Sequence, residues 1–73
     1  MQTYFFDIRD GVTVRDRFGV SLRLDSEAIE HSKMLAREMR QQGRGHEANL
    51  RVCVTNESGS QIHEELVGPE LPR

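Results

Sequence analysis

The sequence predicts an α+β domain in which one helix packs on one face of an antiparallel sheet. Three observations predict this class: an alternating aromatic segment near the N-terminus, one segment of helical periodicity in the middle, and two alternating segments near the C-terminus. The 73 residues allow one domain, which we place at residues 1–67, with a flexible C-terminal tail at 68–73. The expected element order is two β-hairpins around one helix, ββ-α-ββ.

The first predicted hairpin begins with residues 3–8, where aromatic and β-branched side chains alternate between two faces. The dipeptide Asp10-Gly11 is typical of a tight turn, because glycine adopts a positive φ without steric cost. Residues 12–14 return as a strand, and a second turn at 16–19 leads into the alternating run 20–24. This third of the chain therefore predicts a hairpin or a three-stranded meander.

A helix is predicted over residues 26–42, where apolar residues recur at spacings of three and four. Asp25 or Ser26 is the expected N-cap, and Gly43 stands where a glycine commonly ends a helix. The residues expected to form the buried stripe are Ala28, Ser32, Leu35 and Met39, flanked by Ile29 and Ala36.

The second hairpin is predicted from the alternating runs 50–55 and 61–67. Its turn, Asn56-x-x-Gly59, repeats the spacing of Asp16-x-x-Gly19. In both motifs the Asp or Asn side chain is expected to accept hydrogen bonds from its own turn. The repeat has two interpretations: two unrelated turns of a common type, or two similar hairpins related by pseudo-symmetry about the helix.

The composition, with 36% hydrophobic and 30% charged residues, is typical of a globular domain. No apolar run reaches the roughly 18–20 residues of a membrane span, and no secretory signal pattern is visible. A single cysteine, Cys53, excludes an internal disulfide and favours a reducing compartment, so we expect a cytoplasmic protein without membrane contact. The net charge of −2 is too small to attract an anionic partner over the whole surface, and nucleic acid is not the expected partner.

The residues that carry chemistry form no recognisable catalytic or metal-binding motif. The soft or borderline metal ligands are His31, His46, His63 and Cys53, and none of them has the local spacing of a zinc site. Cys53 lies between two valines and is expected to be buried, whereas His31 and His46 are expected to be exposed. Because nucleotide-binding and nucleophile motifs are also missing, we expect a non-enzymatic protein without a metal or cofactor.

The acidic residues of the first third have structural interpretations. Asp10 and Asp16 occupy turn positions, where a short side chain that accepts backbone N–H bonds is common. Asp7 lies inside the aromatic strand and is expected to pair with Arg9 or Arg15 across the hairpin.

Four cations of the predicted helix have a regular spacing: Lys33, Arg37, Arg40 and Arg44. Steps of four, three and four residues place them on one ridge opposite the buried stripe. We call these four residues the basic ridge. It has two interpretations, a candidate site for an anion or a partner, or a solvated surface whose cations complement the helix dipole. The sequence pI near 5.9 favours the second interpretation.

The N-terminal strand carries aromatic residues on both of its faces. Tyr4, Phe6 and Ile8 share one face, and Thr3 and Phe5 lie on the other. If the helix covers the first face, Thr3 and Phe5 form a candidate dimer face, unless the tail or the second hairpin covers Phe5. A domain of this size buries only about 60% of its unfolded surface, and self-association is one way to bury more. We therefore expect a homodimer.

Several motifs together resemble a known family. They are Tyr4-Phe5-Phe6-Asp7, Asp10-Gly11, Asp16-x-x-Gly19-x-x-Leu22, Ala28 and Val52-x-Val54-x-Asn56-x-x-Gly59. In this combination the chain resembles a family of small alpha-proteobacterial domains of unknown function, over residues 3–66. The family more usually has Asp where this chain has Asn56. The resemblance implies the fold and supplies no reaction, cofactor or functional residue.

The architecture is also similar to the antitoxin half of HicA–HicB toxin–antitoxin pairs. The similarity rests on a strand, a turn at Asp10-Gly11, a second strand and a helix start with Glu27-Ala28. That likeness implies a regulator that binds a small toxin. The expected function is thus a self-associating, non-enzymatic interaction module. The alternatives are an antitoxin-like regulator and a weak nucleic-acid binder that uses the basic ridge.

Overall fold

The computed structural model describes residues 1–68, which form one antiparallel sheet with a helix against it. In chain order the elements are β1 (Gln2–Arg9), β2 (Thr13–Val14), β3 (Val20–Leu22), α1 (Asp25–Met39), β4 (Arg51–Thr55) and β5 (Gln61–Leu66). The predicted fold class is confirmed. The tail expected at 68–73 lies, apart from Gly68, outside the described residues.

The strand β1 organises the sheet, because it pairs with β2, β3 and β4. The strand order is β2-β1-β4-β5, and β3 follows β2 along the edge of β1 that β4 leaves free. The first half of the chain therefore contributes three strand segments rather than a simple hairpin. The pseudo-symmetric interpretation fails, since the segments on either side of Asp16 both pair with β1, whereas those on either side of Asn56 pair with each other.

The core lies between α1 and the sheet face that carries Tyr4, Phe6 and Ile8. Its buried side chains are Tyr4, Phe6, Ala28, Ala36, Leu50, Val52, Val54 and Val67, with Ile8, Leu35, Met39 and Ile62 packed against them. The predicted helix stripe is confirmed by these contacts. Ser32 is fully buried, and its hydroxyl donates to the Ile29 carbonyl at 2.6 Å, which satisfies its hydrogen-bonding requirement.

The helix starts and ends close to the predicted positions, but with different capping. It begins at Asp25 with Leu24 as the N-cap residue, so neither Asp25 nor Ser26 caps it. Glu27 Oε1 instead accepts the Arg23 backbone N–H at 2.8 Å, just ahead of the helix. At the other end α1 stops at Met39 and continues as one wider π turn, Arg40–Arg44, rather than reaching 42 as α-helix. No helix within residues 1–68 is both long and apolar enough to cross a membrane.

Gly43 has the left-handed backbone that the sequence predicts at the end of the helix. Its φ of +90° is a conformation in which a Cβ atom is unfavourable, so glycine is the residue that fits there.

Asp25 has a tertiary role in place of the predicted capping role. Its Oδ1 accepts the Tyr4 hydroxyl at 2.6 Å, which links the start of α1 to the middle of β1. This hydrogen bond and the burial of the ring raise the pKa of Tyr4 from 10.0 to about 12. Because the folded pKa lies above the unfolded one, the stability from this bond is present below pH 10.0 and is lost as the pH rises to about 12.

Tyr4 is the only tyrosine of the chain, so its ionisation can be followed directly by the ultraviolet absorbance of tyrosinate. We expect the hydroxyl of Tyr4 to have a pKa of about 12 in the wild-type protein and a pKa closer to 10.0 in Asp25→Asn, because the amide removes the anionic acceptor. Glu30→Gln, an exposed change elsewhere on α1, is the control and leaves the pKa unchanged. Titration of the wild-type tyrosine near its ordinary value would contradict this prediction.

Candidate binding surface

The basic ridge is largely engaged with the rest of the domain. Lys33 Nζ lies 3.9 Å from Glu65 Oε1 on β5. Arg40 Nη1 donates to the backbone carbonyls of Val67 at 3.0 Å and Leu66 at 3.4 Å. These contacts tie α1 to the last described strand, so this part of the ridge acts as a clamp between helix and sheet.

The end of the ridge is engaged as well. Arg44 Nε donates to Glu47 Oε2 at 2.8 Å, and its Nη2 lies 3.6 Å from Asp10 Oδ2. The hydrogen bond from Arg44 lowers the pKa of Glu47. Within residues 1–68, Arg37 is the ridge cation that has no carboxylate within 4.0 Å and no side-chain hydrogen bond. The four cations of the basic ridge therefore do not form a continuous anion-binding surface.

The difference between Arg40 and Arg37 can be measured. We expect Arg40→Gln to lower the free energy of unfolding by about 1 kcal/mol, because two carbonyls lose their donor. Arg37→Gln, on the same ridge, should change it by less than about 0.5 kcal/mol. Urea denaturation followed by circular dichroism measures both values. Equal decreases in the free energy of unfolding would contradict the role of Arg40 in holding the end of the helix to β5.

The sheet face opposite α1 carries the candidate dimer face, Thr3 and Phe5. Both side chains are half-buried, and Phe5 packs beside Gly19. Further along this face the side chains are mainly charged: Asp7, Arg9, Arg51 and Glu64. Phe5 is thus a partly covered aromatic ring beside a charged surface rather than an open apolar patch.

The thiol and imidazole groups do not converge. Cys53 is paired with Glu64 and Val54 with His63, which places Cys53 and His63 on opposite faces of the sheet. Cys53 is buried as predicted, and burial raises the pKa of its thiol. Within residues 1–68 no three His, Cys, Asp or Glu side chains lie close enough together to hold a metal ion.

The prediction for His46 is confirmed, but the one for His31 is wrong. His31 is half-buried, and its ring lies 4.7 Å from the ring of Phe6 at an angle of 59°. This tilted aromatic contact adds to the packing of α1 on the sheet. His31 stands three residues after Ala28 and four before Leu35, so helical spacing places it at the edge of the buried stripe, where the ring of Phe6 contacts it.

The most unusual feature of the surface is the segment between β2 and β3, residues 15–19, which we call the 15–19 loop. The pairs Ile8↔Val14 and Tyr4↔Val20 leave the three residues 5–7 of β1 opposite the five residues 15–19. The loop therefore bulges out of the sheet edge, and the ladder of backbone hydrogen bonds is interrupted there.

Two carboxylates replace the interrupted ladder. Asp16 Oδ2 accepts the backbone N–H of Phe6 at 3.1 Å, and Asp7 Oδ1 accepts the backbone N–H of Asp16 at 2.9 Å. The prediction that Asp7 pairs with Arg9 or Arg15 is wrong, because its carboxylate serves this backbone group instead and no guanidinium of residues 1–68 lies within 4.0 Å. A buried backbone donor left without a partner would cost about 1–3 kcal/mol.

The second oxygen of Asp16 fixes the loop itself. Oδ1 accepts the N–H groups of Phe18 at 3.0 Å and Gly19 at 3.1 Å, so one carboxylate receives three backbone donors. Burial of Asp16 raises its pKa, but the hydrogen bonds from Gly19, Phe18 and Phe6 lower it, and the net pKa is lowered. Asn56 forms the corresponding turn between β4 and β5, with its Oδ1 accepting from Ser58 at 3.1 Å. The predicted hydrogen bonding within both turns is confirmed.

Gly19 closes the loop against β1. Its φ is +74°, and a Cβ atom there would lie 2.5 Å from Thr3 Cγ2 and 3.0 Å from the Tyr4 carbonyl oxygen. Gly59 has the same place in the Asn56 turn, with a φ of +87° and no atom within 4 Å of a Cβ. The two glycines share a backbone conformation and differ in packing.

The pair Gly19 and Gly59 separates these two effects. We expect Gly19→Ala to lower the free energy of unfolding by about 2–4 kcal/mol, because it adds a steric clash to the left-handed backbone cost. Gly59→Ala should lower the free energy of unfolding by only the cost of the left-handed backbone, about 1–2 kcal/mol, because its Cβ meets no other atom. Urea denaturation of both variants gives the comparison, and equal losses would mean that the 15–19 loop is not held against β1.

The fixed loop presents an aromatic ring to solvent. Phe18 is 91% exposed, the most exposed large hydrophobic side chain of residues 1–68. Arg15 and Arg17 are also exposed, and residues 13–17 line an open cleft of about 570 Å³. The loop thus combines a hydrogen-bonded backbone, an exposed phenylalanine ring and two guanidinium groups, and Phe and Arg are side-chain types enriched in protein–protein interfaces.

This surface was not predicted from the sequence, where residues 16–19 are a turn. One signal was available: a phenylalanine between a charged pair and a glycine is unusual for a solvated turn, where small polar residues dominate. Its exposure could not be inferred, because an aromatic residue in that position could equally pack into the core.

A helix over one face of a five-stranded antiparallel sheet, with a carboxylate-held bulge at its edge, defines a small α+β domain. The chain belongs to the family DUF6894, a domain of unknown function, whose model matches residues 3–65. No curated protein and no solved structure matches it.

Proposed function

We propose that this domain is a non-enzymatic interaction module that binds a protein partner through the 15–19 loop. The observation that carries the proposal is Phe18, 91% exposed on a loop in which Asp16 accepts the N–H groups of Phe18 and Gly19 and also that of Phe6 on β1. An exposed phenylalanine contributes nothing to the core of its own domain, whereas buried in a partner it contributes about 1.5–3 kcal/mol.

The hydrogen bonds that hold the backbone of the loop support the same proposal. Binding by a mobile loop loses conformational entropy, and a loop already fixed in one conformation avoids most of that loss. Asp16 and Gly19 fix the backbone without using the side chains of Phe18, Arg15 or Arg17, which remain available for contact. A single buried cysteine is consistent with placing the module in the cytoplasm.

Self-association through Thr3 and Phe5 stays a prediction. The half-buried Phe5 leaves some apolar surface on the open face, but the neighbouring charges of Asp7 and Arg9 would have to be paired or hydrated in a dimer. The antitoxin-like and nucleic-acid alternatives stay predictions as well, and the engaged ridge cations Lys33 and Arg40 give neither of them support.

The test is affinity capture from a lysate of the cells that express the protein, with immobilised wild-type domain and two variants. Phe18→Ser should lose the captured partner, whereas Leu66→Ser, which removes another exposed apolar side chain on β5 at the opposite edge of the sheet, should retain it. The captured protein is then purified, and its direct binding to each variant is measured by calorimetry. We expect at least about tenfold weaker binding for Phe18→Ser.

Two controls make the outcome decisive. Phe18→Ser should keep the thermal midpoint of the wild type, because the ring is exposed, so a loss of binding is not a loss of fold. Sedimentation velocity at micromolar concentration reports whether the partner is a second copy of the chain. Capture that is equal for wild type and Phe18→Ser would overturn the proposal.

A further inference from the structure

We infer that the segment recognised by the 15–19 loop is acidic and carries an apolar residue. This inference rests on the proposed function and identifies the chemistry of the partner. Arg15 and Arg17 stand on either side of Asp16 and both line the cleft of about 570 Å³ formed by residues 13–17. Within residues 1–68 neither guanidinium has a carboxylate within 4.0 Å.

The acidic residues nearest in sequence form no ion pair with Arg15 or Arg17. Both oxygens of Asp16 are occupied by backbone N–H groups, and Asp7 accepts the N–H of Asp16. Asp10 lies 3.6 Å from Arg44. With Asp16 ionised, the lining residues 13–17 carry a net charge of +1. The two guanidinium groups without ion pairs are donors that carboxylates complement in one or two hydrogen bonds each.

Exposed apolar side chains lie in and next to this segment. Val14 lines the cleft and is 62% exposed, while Val12 and Phe18, 70% and 91% exposed, directly precede and follow the lining residues in the chain. A ligand that matched only the arginines would leave these side chains in water. A peptide with carboxylates and one aliphatic or aromatic residue matches both parts, because the apolar residue can pack on Phe18 while carboxylates reach Arg15 and Arg17.

Nucleic acid is the other anionic occupant, and the charge distribution disfavours it. The chain has a net charge of −2, and the ridge cations Lys33, Arg40 and Arg44 are held by the domain itself. Nucleic-acid binding draws its affinity from many phosphate contacts, and two guanidinium groups supply few. A short protein segment needs only the local positive charge.

The experiment selects binders from a displayed library of random peptides on the full-length domain. We expect the selected peptides to be enriched in Asp and Glu and to carry a large apolar residue. A selected peptide, labelled with a fluorophore, is then titrated with each variant by fluorescence anisotropy. The double variant Arg15→Gln/Arg17→Gln should bind it at least about tenfold more weakly.

The matched control is Arg23→Gln/Arg37→Gln, which removes two other exposed arginines without a carboxylate within 4.0 Å in the described residues. It has the same net charge as Arg15→Gln/Arg17→Gln. It therefore separates direct contacts made by Arg15 and Arg17 from the general effect of net charge on peptide binding. The control should bind the peptide within about twofold of the wild type. A labelled oligothymidine, titrated under the same conditions, tests the nucleic-acid alternative.

The outcomes distinguish the two proposals. If peptides bind and Phe18→Ser abolishes binding while Arg15→Gln/Arg17→Gln does not, the acidic chemistry is wrong and the interaction module stands. If Phe18→Ser leaves peptide binding unchanged, the proposed function fails too. A selection without acidic enrichment, a library that yields no binder, or tighter binding of the oligothymidine each overturns the inference.

Discussion

The edge of the sheet depends on an exchange of hydrogen bonds between two carboxylates and the backbone. Where β2 ends and β3 has not yet begun, β1 would present an unpaired N–H at Phe6, and Asp16 accepts it. Asp7 returns the contact by accepting the N–H of Asp16. Because these side chains stand in for ladder bonds, the chain can leave the sheet for five residues and rejoin it without an unsatisfied donor at these points.

The same exchange of hydrogen bonds also orders the 15–19 loop, the surface that we propose for partner binding. The carboxylate of Asp16 that accepts the N–H group of Phe6 on β1 also accepts those of Phe18 and Gly19. One side chain therefore links the loop to the strand and fixes the loop backbone. The side chain of Phe18 is left outside this network and is almost fully exposed. In a domain with one small core, a surface feature fixed by backbone hydrogen bonds keeps its shape without using buried apolar area.

The helix is held by packing and by its own cations. Small residues on its buried face, Ala28, Ser32 and Ala36, let the helix lie close to β4 and β5, the strands that it contacts most. Arg40, in the turn that follows α1, donates to the carbonyls of Leu66 and Val67 at the end of β5. These contacts show why a regular spacing of basic residues is weak evidence for ligand binding: the same spacing serves a strand edge that offers acceptors.

The sequence by itself determined the fold class, the buried face of the helix, the positive φ of Gly43 and the burial of Cys53, because each depends on periodicity or on residues that are neighbours in the chain. Tertiary structure alone decided that Asp25 bonds to Tyr4, that Asp7 bonds to the backbone of Asp16, and that His31 packs on Phe6. Those partners lie between 9 and 25 residues apart in the chain. A local pattern states which side chain can accept a hydrogen bond or pack, whereas only the folded chain brings a particular distant donor or ring within reach.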